Sequence, residues 1–335
     1  MTATERSPAP SRGSGRRDVG RTLARKLVEL VLVLLLVSFA TAFIVDLLPG
    51  NAAVTILGDS QPPEAYAELE AELGLDQGLV PRYFDWLGNA LTGDLGESIQ
   101  PPGGAVTDKL MNALPVSLEL AVLGLAIALV TSVPLALWSA WRPGGRVDRT
   151  VTTLTFGLVS LPSFVAGLLL ILLFVKVWPL FPRADWVRLS EDPLGNLHHA
   201  FLPALIVALP EIPVFTRVLR GDLIETLRMD FITAAKARGM SPRRILVSEA
   251  LRPSSLSLVT VAGVSLGRLI GSTVIAETLF GLPGIGSLIV RSASNKDLAL
   301  LQGAVVLVAV IYVLVNALVD LSYSRLDPRL RRARR

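Results

Sequence analysis

Six long apolar runs constrain the fold of this chain more than any other feature of its sequence. They cover residues 27–48, 115–138, 151–177, 201–219, 256–276 and 298–321. A helix needs about 20 apolar residues to cross the hydrocarbon layer of a membrane, and repeated runs of this length do not suit the core of a soluble domain. Hydrophobic residues make up 51% of the chain, which favours the same class. The sequence therefore predicts an all-α polytopic membrane protein with six transmembrane helices.

Basic residues indicate how these helices are oriented. They cluster before the first run, after the second, after the fourth and at the end of the chain, in residues 12–26, 142–149, 217–252 and 325–335. An even number of spans puts both ends on one side, and Lys and Arg crowd the cytoplasmic ends of short loops. We expect both termini in the cytoplasm and a multi-pass location in the cytoplasmic (inner or plasma) membrane.

The position of the basic residues also indicates what kind of molecule they contact. The pI of about 9.7 could suggest nucleic acid, but the basic residues lie beside apolar runs and are not interleaved with aromatic residues. Anionic membrane lipid accounts for this charge better. We expect lipid contact and no nucleic acid.

The segments outside the spans differ in composition. Residues 1–26 are rich in Pro, Ser, Gly and Arg and are expected to form a disordered cytoplasmic tail, and residues 323–335 a second basic tail. Ala40-Thr41-Ala42 imitates a signal-peptide cleavage site, but apolar residues continue to Leu48, so we expect 27–48 to remain as the first transmembrane helix. Residues 49–114 contain ten acidic residues against two basic ones. They are expected to form an extracytoplasmic loop or helical cap, as a packed connector or a docking surface.

Several kinds of chemistry are excluded or weakly indicated. The chain has no cysteine, which excludes disulfides, thiolate nucleophiles and iron–sulfur clusters. No Gly-Lys-Ser or Gly-Lys-Thr occurs, so the chain lacks a phosphate-binding loop and must be driven by another subunit or an ion gradient. No nucleophile with a base, carboxylate dyad or metal site stands out, so we do not expect an enzyme. His198-His199 are adjacent and point apart on a helix, which is weak evidence for a metal.

The basic segment after the fourth run can be read residue by residue. Residues 221–238 predict one helix whose packed stripe contains Leu223, Ile224, Leu227, Phe231 and Ala234. Gly239 suits the left-handed conformation that closes a helix, Ser241 suits an N-cap, and Pro242 suits the first position of the next helix. A tight turn should therefore join two helices, and Ala234 and Ala235 should let a partner surface approach closely.

This segment resembles a cytoplasmic loop of a known family, the permease subunits of binding-protein-dependent ABC importers. That loop reads Glu-Ala-Ala, three residues, Gly, nine residues, Ile, one residue, Leu-Pro. Ala234, Ala235, Gly239 and Leu251 fit it, whereas Thr233, Glu249 and Arg252 replace its Glu, Ile and Pro.

Further blocks resemble the peptide (dipeptide, oligopeptide and nickel) branch of this family. They are Leu48-Pro49-Gly50, Glu72-Leu73-Gly74-Leu75-Asp76, Gly93-Asp94-Leu95-Gly96-Glu97-Ser98, Leu161-Pro162-Ser163-Phe164, the run from Glu277 to Gly286, and Asp327-Pro328-Arg329. The resemblance implies the type I permease fold of ABC importers and a five-helix core over 115–322. It implies transport of cargo, most simply short peptides, with a second homologous permease, two cytoplasmic ATPase subunits and an extracytoplasmic solute-binding protein.

The resemblance also assigns roles within the chain. The coupling loop, 220–253, would contact the ATPases, and its expected contact residues are Asp230, Thr233, Ala234, Ala235, Arg238 and Gly239. ATP and Mg would be bound by the ATPase subunits, and no cofactor by this chain. The sequence leaves the cargo open among dipeptides, longer peptides, nickel complexes, glutathione and sugars.

The fifth run carries a second candidate site. Gly263, Gly267 and Gly271 recur every four residues and give one smooth helix face. This face serves either tight packing or the translocation path and permease interface. Arg268 lies among these glycines near mid-membrane, where a charge requires water or a partner, so we expect it to face the cavity or the partner permease.

After the fifth run, Gly and Pro residues interrupt the helical pattern. Glu277, Phe280, Pro283 and Gly284 could form an outer gate or a docking site for the binding protein. An ordinary connector is the alternative.

Pro210-Glu211-Ile212-Pro213 in the fourth run supports a rival function. Two prolines should kink the helix, and a carboxylate buried there could carry protons, as in a proton-coupled secondary transporter. Glu211 is also near Arg217 and Arg220, so it could reach the membrane interface or pair with an arginine.

Overall fold

The computed structural model describes residues 14–47, 52–58, 60–72, 74, 76–100 and 103–326. This part of the chain contains no β-strand, and its one isolated β-bridge joins Glu97 and Ala105. The all-α prediction is confirmed for these residues. The ends of both predicted tails, residues 1–13 and 327–335, lie outside them, as do Leu48-Pro49-Gly50 and Asp327-Pro328-Arg329.

The described residues contain fourteen α-helices and two π-helical segments. They are α1 (Ser14–Leu47), α2 (Ala52–Leu57), α3 (Pro63–Glu72), α4 (Leu79–Leu91), α5 (Val106–Trp141), α6 (Arg146–Ser160), α7 (Ser163–Ile171), π1 (Leu172–Val177), α8 (Pro193–Ala208), α9 (Glu211–Thr226), α10 (Asp230–Ala237), α11 (Pro242–Arg244), π2 (Ile245–Ala250), α12 (Leu251–Phe280), α13 (Ile285–Asn295) and α14 (Leu298–Leu326).

Among the residues that the structure describes, three stretches are long and apolar enough to cross a membrane as single helices. They are α5, the run Pro242–Phe280 that joins α11, π2 and α12, and Leu298–Val319 of α14. Two bent pairs, α6 with α7 and α8 with α9, raise the number to five, and α1 adds a shorter apolar stretch, Leu30–Ile44. The chain is therefore multi-spanning, and the count of six stays a prediction.

The third and fourth predicted spans are bent at prolines. The bend between α6 and α7 is 99° and that between α8 and α9 is 59°. Proline lacks an N–H and keeps the residue before it out of helical geometry. Leu161, before Pro162, is accordingly extended at φ −90° and ψ 116°. The prolines of the Pro210-Glu211-Ile212-Pro213 segment accompany the second bend, as expected.

The inner limits of the two predicted tails need correction. Helix α1 already begins at Ser14, so residues 14–26 are helical and not disordered. Arg, Lys and Leu in this stretch are good helix formers and no proline interrupts them. Helix α14 continues to Leu326, past the expected start of the second tail at 323.

The helices pack through small residues. Buried alanines, including Ala121, Ala128, Ala136 and Ala204, are 0% exposed. A side chain at Gly124 would bring its Cβ within 2.8 Å of Val207 Cγ1, so glycine is what allows α5 to approach α8 this closely.

The segment predicted to form a helical cap contains the three short helices α2, α3 and α4, and its extracytoplasmic location stays a prediction. Gly74 follows α3 with φ +64°, as expected of a residue that closes a helix. Helix α4 packs on α1 through Tyr83, whose hydroxyl lies 2.9 Å from Ser38 Oγ, and the Arg82 Nη2 to Asp46 Oδ1 distance is 2.6 Å. The end of the bundle that carries these contacts is called the α4 end below, and the end that carries α10 is called the α10 end.

Candidate coupling helix and translocation face

Helix α10 is a short, separate helix. Helix α9 ends at Thr226, and Met229 is extended at φ −73° and ψ 152° before α10 begins at Asp230. The single helix predicted over 221–238 is therefore wrong. The break contains neither Gly nor Pro, so local sequence rules could not find it.

This break changes which face of α10 is packed. Ile232 and Ala235 are 0% exposed and belong to the core beside Leu223. Phe231 is 42% exposed, and Ala234 is exposed as well. The prediction that Phe231 and Ala234 pack inward is wrong, because the stripe restarts at Asp230 with a new phase. Ala235 is consequently unavailable to a partner.

The remaining predicted coupling residues belong to one exposed surface, which also includes Phe231, Lys236 and Ala237. It consists of Asp230, Phe231, Thr233, Ala234, Lys236, Ala237, Arg238 and Gly239, all exposed, and is called the coupling face below. It combines a phenyl ring, small residues and both signs of charge, features that suit a helix seated in a partner's groove.

The turn after α10 matches its prediction. Gly239 has φ +78°. Its N–H donates to Lys236 O at 3.0 Å, and the Met240 N–H donates to Ala235 O at 3.3 Å, which is the Schellman pattern of helix ends. Ser241 occupies the N-cap position without a side-chain hydrogen bond, and Pro242 is the first residue of α11.

An ion pair fastens α9 to the start of α6 at the same end. Arg220 donates from Nε to Asp148 Oδ1 at 2.6 Å and from Nη2 to Asp148 Oδ2 at 2.7 Å. Ser139 Oγ and the Gly144 N–H also donate to this carboxylate. Asp148 precedes the apolar run that begins at residue 151, and the hydrogen bond from Arg220 is the main reason that its pKa is held well below its usual range.

A second ion pair joins α9 to α12 deeper in the bundle. Arg268 Nη2 donates to Glu211 Oε1 at 2.8 Å and to Oε2 at 3.0 Å, and Ser265 Oγ donates to Oε2 at 2.8 Å. The Glu211 side chain is 5% exposed and the Arg268 side chain is 62% exposed. Glu211 thus pairs with an arginine, although not with Arg217 or Arg220, and Arg268 lies on an open face of α12.

The three glycines of α12 do not share one environment. A Cβ at Gly263 would lie 2.9 Å from Val319 Cγ1, and one at Gly267 would lie 3.2 Å from Tyr312 Cδ2. These two glycines allow α12 to pack tightly on α14. Gly271 meets nothing within 4 Å and is exposed. Tight packing within the chain accounts for Gly263 and Gly267, and Arg268 and Gly271 remain available to a partner or cargo.

Glu277 organises the segment after α12 from the inside. It is 0% exposed. Its Oε1 accepts from Ser117 Oγ at 2.7 Å and from Thr273 Oγ1 at 2.6 Å, and its Oε2 accepts from the Ser287 N–H at 2.9 Å. Because Ser287 lies in the first turn of α13, the carboxylate also caps the start of that helix.

Most of the predicted gate or docking residues are buried with Glu277. Phe280 is 1% exposed, and a Cβ at Gly284 would lie 2.3 Å from Glu277 Oε2. Only Pro283 of this set is exposed. Glu277, Phe280 and Gly284 therefore hold this segment together and present no surface for docking.

The two histidines bond to backbone carbonyls. His198 Nε2 lies 2.8 Å from Leu180 O, and His199 Nδ1 lies 2.7 Å from Gly195 O. Among the residues that the structure describes, no group of three metal-binding side chains occurs.

Sequence reasoning missed the ion pair of Arg220 with Asp148 and the hydrogen bond of Ser117 to Glu277. Asp148 is the only acidic residue in the basic segment 142–149, and that isolation was a usable signal for an ion pair. Ser117 offered no such signal, because it meets Glu277 across 160 positions of sequence.

Comparison with known proteins places this architecture in a sequence family. The family described as "Binding-protein-dependent transport system inner membrane component" matches residues 132–332, and its N-terminal counterpart matches residues 19–121. A protein of Brucella abortus, named as a permease of a peptide transport system, is 34% identical over 312 residues, covering 92% of this chain and 98% of that protein.

Two further relatives cover the same extent. The oligopeptide transport system permease protein OppB of Haemophilus influenzae is 32% identical over 92% of this chain and 98% of its own length. The dipeptide transport system permease protein DppB of Bacillus subtilis is 30% identical over 93% of this chain and 98% of its own length.

Proposed function

This chain belongs to the family of binding-protein-dependent transport system inner membrane components, and from that premise we propose that it is the permease subunit of a peptide importer. The cargo is a short peptide, since the similar proteins are named for peptide, oligopeptide and dipeptide transport. The chain forms the translocation path with a second, homologous permease. An extracytoplasmic solute-binding protein delivers the cargo.

The coupling face of α10 is the observation that carries this proposal. Ile232 and Ala235 anchor the helix in the core, and Phe231, Ala234 and Arg238 remain exposed. A helix that is firmly held on one side and presents small residues on the other suits a rigid contact with a separate motor protein. Two ATPase subunits, which bind ATP and Mg, would bind to this face. The permease itself would perform no covalent chemistry.

The route from the coupling face into the membrane is continuous. The turn at Gly239 leads into α11, π2 and α12, which run without a break from Pro242 to Phe280. Ser254 Oγ donates to Thr226 Oγ1 at 2.9 Å, which links the start of α12 to the end of α9. Closure of the ATPase pair would therefore tilt α12 and its exposed Arg268 and Gly271, opening the path to alternate sides.

The proposed orientation follows from the basic residues. With six spans, both termini and α10 would lie in the cytoplasm, and the α4 end would lie outside. The bent pairs α6–α7 and α8–α9 and the apolar part of α1 serve as spans beside the three straight helices.

Reconstitution tests this function. The complete importer, with the second permease, both ATPases and the binding protein, should import a labelled dipeptide into liposomes only when ATP is present on the ATPase side. Omission of either ATPase should abolish import. Uptake by this polypeptide alone would overturn the proposal.

A proton-coupled secondary transporter is the second candidate, because Glu211 is a buried carboxylate inside the membrane region. The ion pair of Glu211 with Arg268 is evidence against proton transport by Glu211, because binding of a proton would neutralise the carboxylate and break the pair. Glu211→Gln separates the two functions. An ATP-driven importer carrying this change should still take up peptide after collapse of the proton gradient, whereas a proton carrier would lose uptake entirely.

A further inference from the structure

A cavity of ≈ 900 Å³ lies beside the first half of α5, away from the coupling face and from Arg268. Its apolar wall includes Pro115, Leu118 and Val122 of α5, and Trp186 from the loop before α8. Ligand pockets in proteins measure about 300–1,000 Å³ and combine apolar walls with a few polar groups. The size and lining of this cavity match that description.

The polar groups of this cavity are unusual for a membrane helix. Glu119 is the only charged residue in the apolar run 115–138 and lines the cavity. Its Oε1 is buried and accepts no hydrogen bond from the described residues. A carboxylate in a membrane span is costly and commonly marks a functional site.

A second unpaired acceptor lies beside Glu119. Asn196 of α8 is 0% exposed and lies within hydrogen-bonding reach of the Glu119 side chain. Its Nδ2 donates to Val187 O at 2.9 Å, while its Oδ1 finds no donor in the described part of the chain. Glu119 Oε1 in the lining and Asn196 Oδ1 just behind it are thus two buried acceptors left without a donor at this corner of the cavity, which is unfavourable.

A primary ammonium group supplies what this corner lacks. It carries a positive charge and three N–H donors, and it has no acceptor of its own. Arg188 lines the same cavity, and no salt bridge joins it to Glu119 within residues 103–326, so it is available to an anion. A short peptide at neutral pH carries one ammonium and one carboxylate group, which matches both charges.

We propose that this cavity is a cargo subsite in which Glu119, supported by Asn196, binds the amino terminus of a peptide while Arg188 meets its carboxylate. This inference rests on the proposed function in its choice of peptide as the ligand. The ammonium headgroup of phosphatidylethanolamine has the same chemistry and is the other source that the experiment must separate.

Disulfide trapping tests the subsite directly. The chain has no cysteine, so an introduced cysteine is its only thiol. Val122→Cys places a thiol in the cavity at a position that is 54% exposed, and Val130→Cys places one farther along α5 at a position that is 73% exposed and outside the lining. The complete importer in vesicles is incubated with the dipeptide alanyl-cysteine and copper(II) phenanthroline in air, which takes the two electrons and two protons released when the two thiols form a disulfide. The adduct on this chain is measured by mass spectrometry.

Trapping should be faster in the Val122→Cys variant than in the Val130→Cys variant, despite the lower exposure of position 122. Adding Glu119→Gln should slow trapping at position 122 at least about tenfold, because the charge-assisted hydrogen bond to the ammonium group is lost. Glu119→Asp should restore part of the rate. N-acetyl-alanyl-cysteine should be trapped slowly whether residue 119 is Glu or Gln. Equal trapping in both thiol variants, or trapping at position 122 that ignores Glu119→Gln, overturns the subsite.

Vesicle composition separates the two sources of the ammonium group. The preference of alanyl-cysteine for the thiol at position 122 should be the same in vesicles of phosphatidylcholine and phosphatidylglycerol as in vesicles that contain phosphatidylethanolamine. Trapping suppressed by phosphatidylethanolamine through Glu119 would assign the site to lipid and overturn the cargo role. Uptake by the same vesicles reports on the proposed function separately. Trapping at position 122 without uptake would support the subsite and contradict the transport function. Uptake without preferential trapping at position 122 would support the transport function and contradict the subsite.

Discussion

Arg268 holds both oxygens of Glu211 with a single nitrogen, Nη2, at 2.8 and 3.0 Å. The two partners differ in environment, because the carboxylate is buried and the guanidinium is largely exposed. Loss of one partner therefore does not have the same effect as loss of the other.

Arg268→Ala should destabilise the protein more than Glu211→Gln. The first change leaves a buried carboxylate with Ser265 as its remaining side-chain donor, at a cost of about 3–5 kcal/mol. The second keeps the hydrogen bond from Ser265 and leaves a charge that is already exposed, at a cost of about 1–2 kcal/mol. Thermal unfolding in detergent measures both. The double variant Glu211→Gln with Arg268→Gln should be more stable than Arg268→Ala, because it leaves no buried charge. Equal effects of the two single changes would contradict this account.

Adjacent alanines of α10 should respond oppositely to a large side chain. Ala235→Trp overfills the core and should lower the free energy of unfolding by about 1–3 kcal/mol. Ala234→Trp should leave folding unchanged and prevent the ATPases from copurifying with the permease pair. Thermal unfolding and affinity copurification provide the two measurements. Retention of the ATPases by the Ala234 variant would remove this part of the coupling face from the contact.

Gly239→Arg should abolish peptide-stimulated ATP hydrolysis while membrane insertion persists. No atom lies within 4 Å of a Cβ at this position, but φ is +78°, so strain in the turn and a bulky charge on the coupling face both act. Gly239→Asn is the matched control, because Asn tolerates the left-handed region. It should keep most of the activity. Normal activity of the Arg variant would count against α10 as the coupling helix.

Gly284→Ala should destabilise the segment after α12 by several times more than Gly281→Asn. The added Cβ at position 284 would lie 2.3 Å from the buried Glu277 carboxylate, whereas Gly281, at φ +66°, has nothing within 4 Å. Because Glu277 also caps α13, Glu277→Ala should resemble Gly284→Ala. Proteolysis between α12 and α14 in the folded protein measures the local opening. A mild effect at position 284 would show that the carboxylate can move aside.

Arg220→Lys should destabilise the protein by a constant amount between about pH 5 and 8. Lys cannot reproduce the two-pronged contact of Arg with Asp148. Since Arg220 lowers the pKa of Asp148 in the folded state, the contribution is complete above the ordinary carboxyl pKa of about 3.9 and is lost as the pH falls further, so the difference should shrink below about pH 4. Thermal unfolding from pH 3 to 8 measures it. Arg217→Lys is the control, because Arg217 lies over the Phe156 ring, and its effect should not change with pH.

Local rules predicted local features of the coupling segment well. The left-handed Gly239, the N-cap position of Ser241 and the start of a helix at Pro242 all follow from backbone preferences of single residues. Which residues of α10 face the core could not be predicted in this way. The break at Leu227–Met229 contains no helix-breaking residue, and it depends on the packing of Ile232 into the core.

Contacts across the sequence were beyond such rules. The burial of Glu277 depends on Ser117, and the clamp at Asp148 depends on Arg220, 72 positions away. The apolar runs specified that helices cross the membrane, but not which faces of those helices meet. The two faces of α12 illustrate this limit, since Gly263 and Gly271 look alike in sequence and only one of them is packed.

The π-helical segment Ile245–Ala250 has a mechanical consequence. A π-turn accommodates one residue more than an α-turn, and one residue corresponds to about 100° of rotation around a helix axis. If this segment tightened to ordinary α-helix while α10 stayed fixed, α12 would swivel by up to that angle and carry Arg268 away from Glu211. Rewinding of only these six residues would therefore be enough to change which side of the membrane helix presents the charge of Arg268.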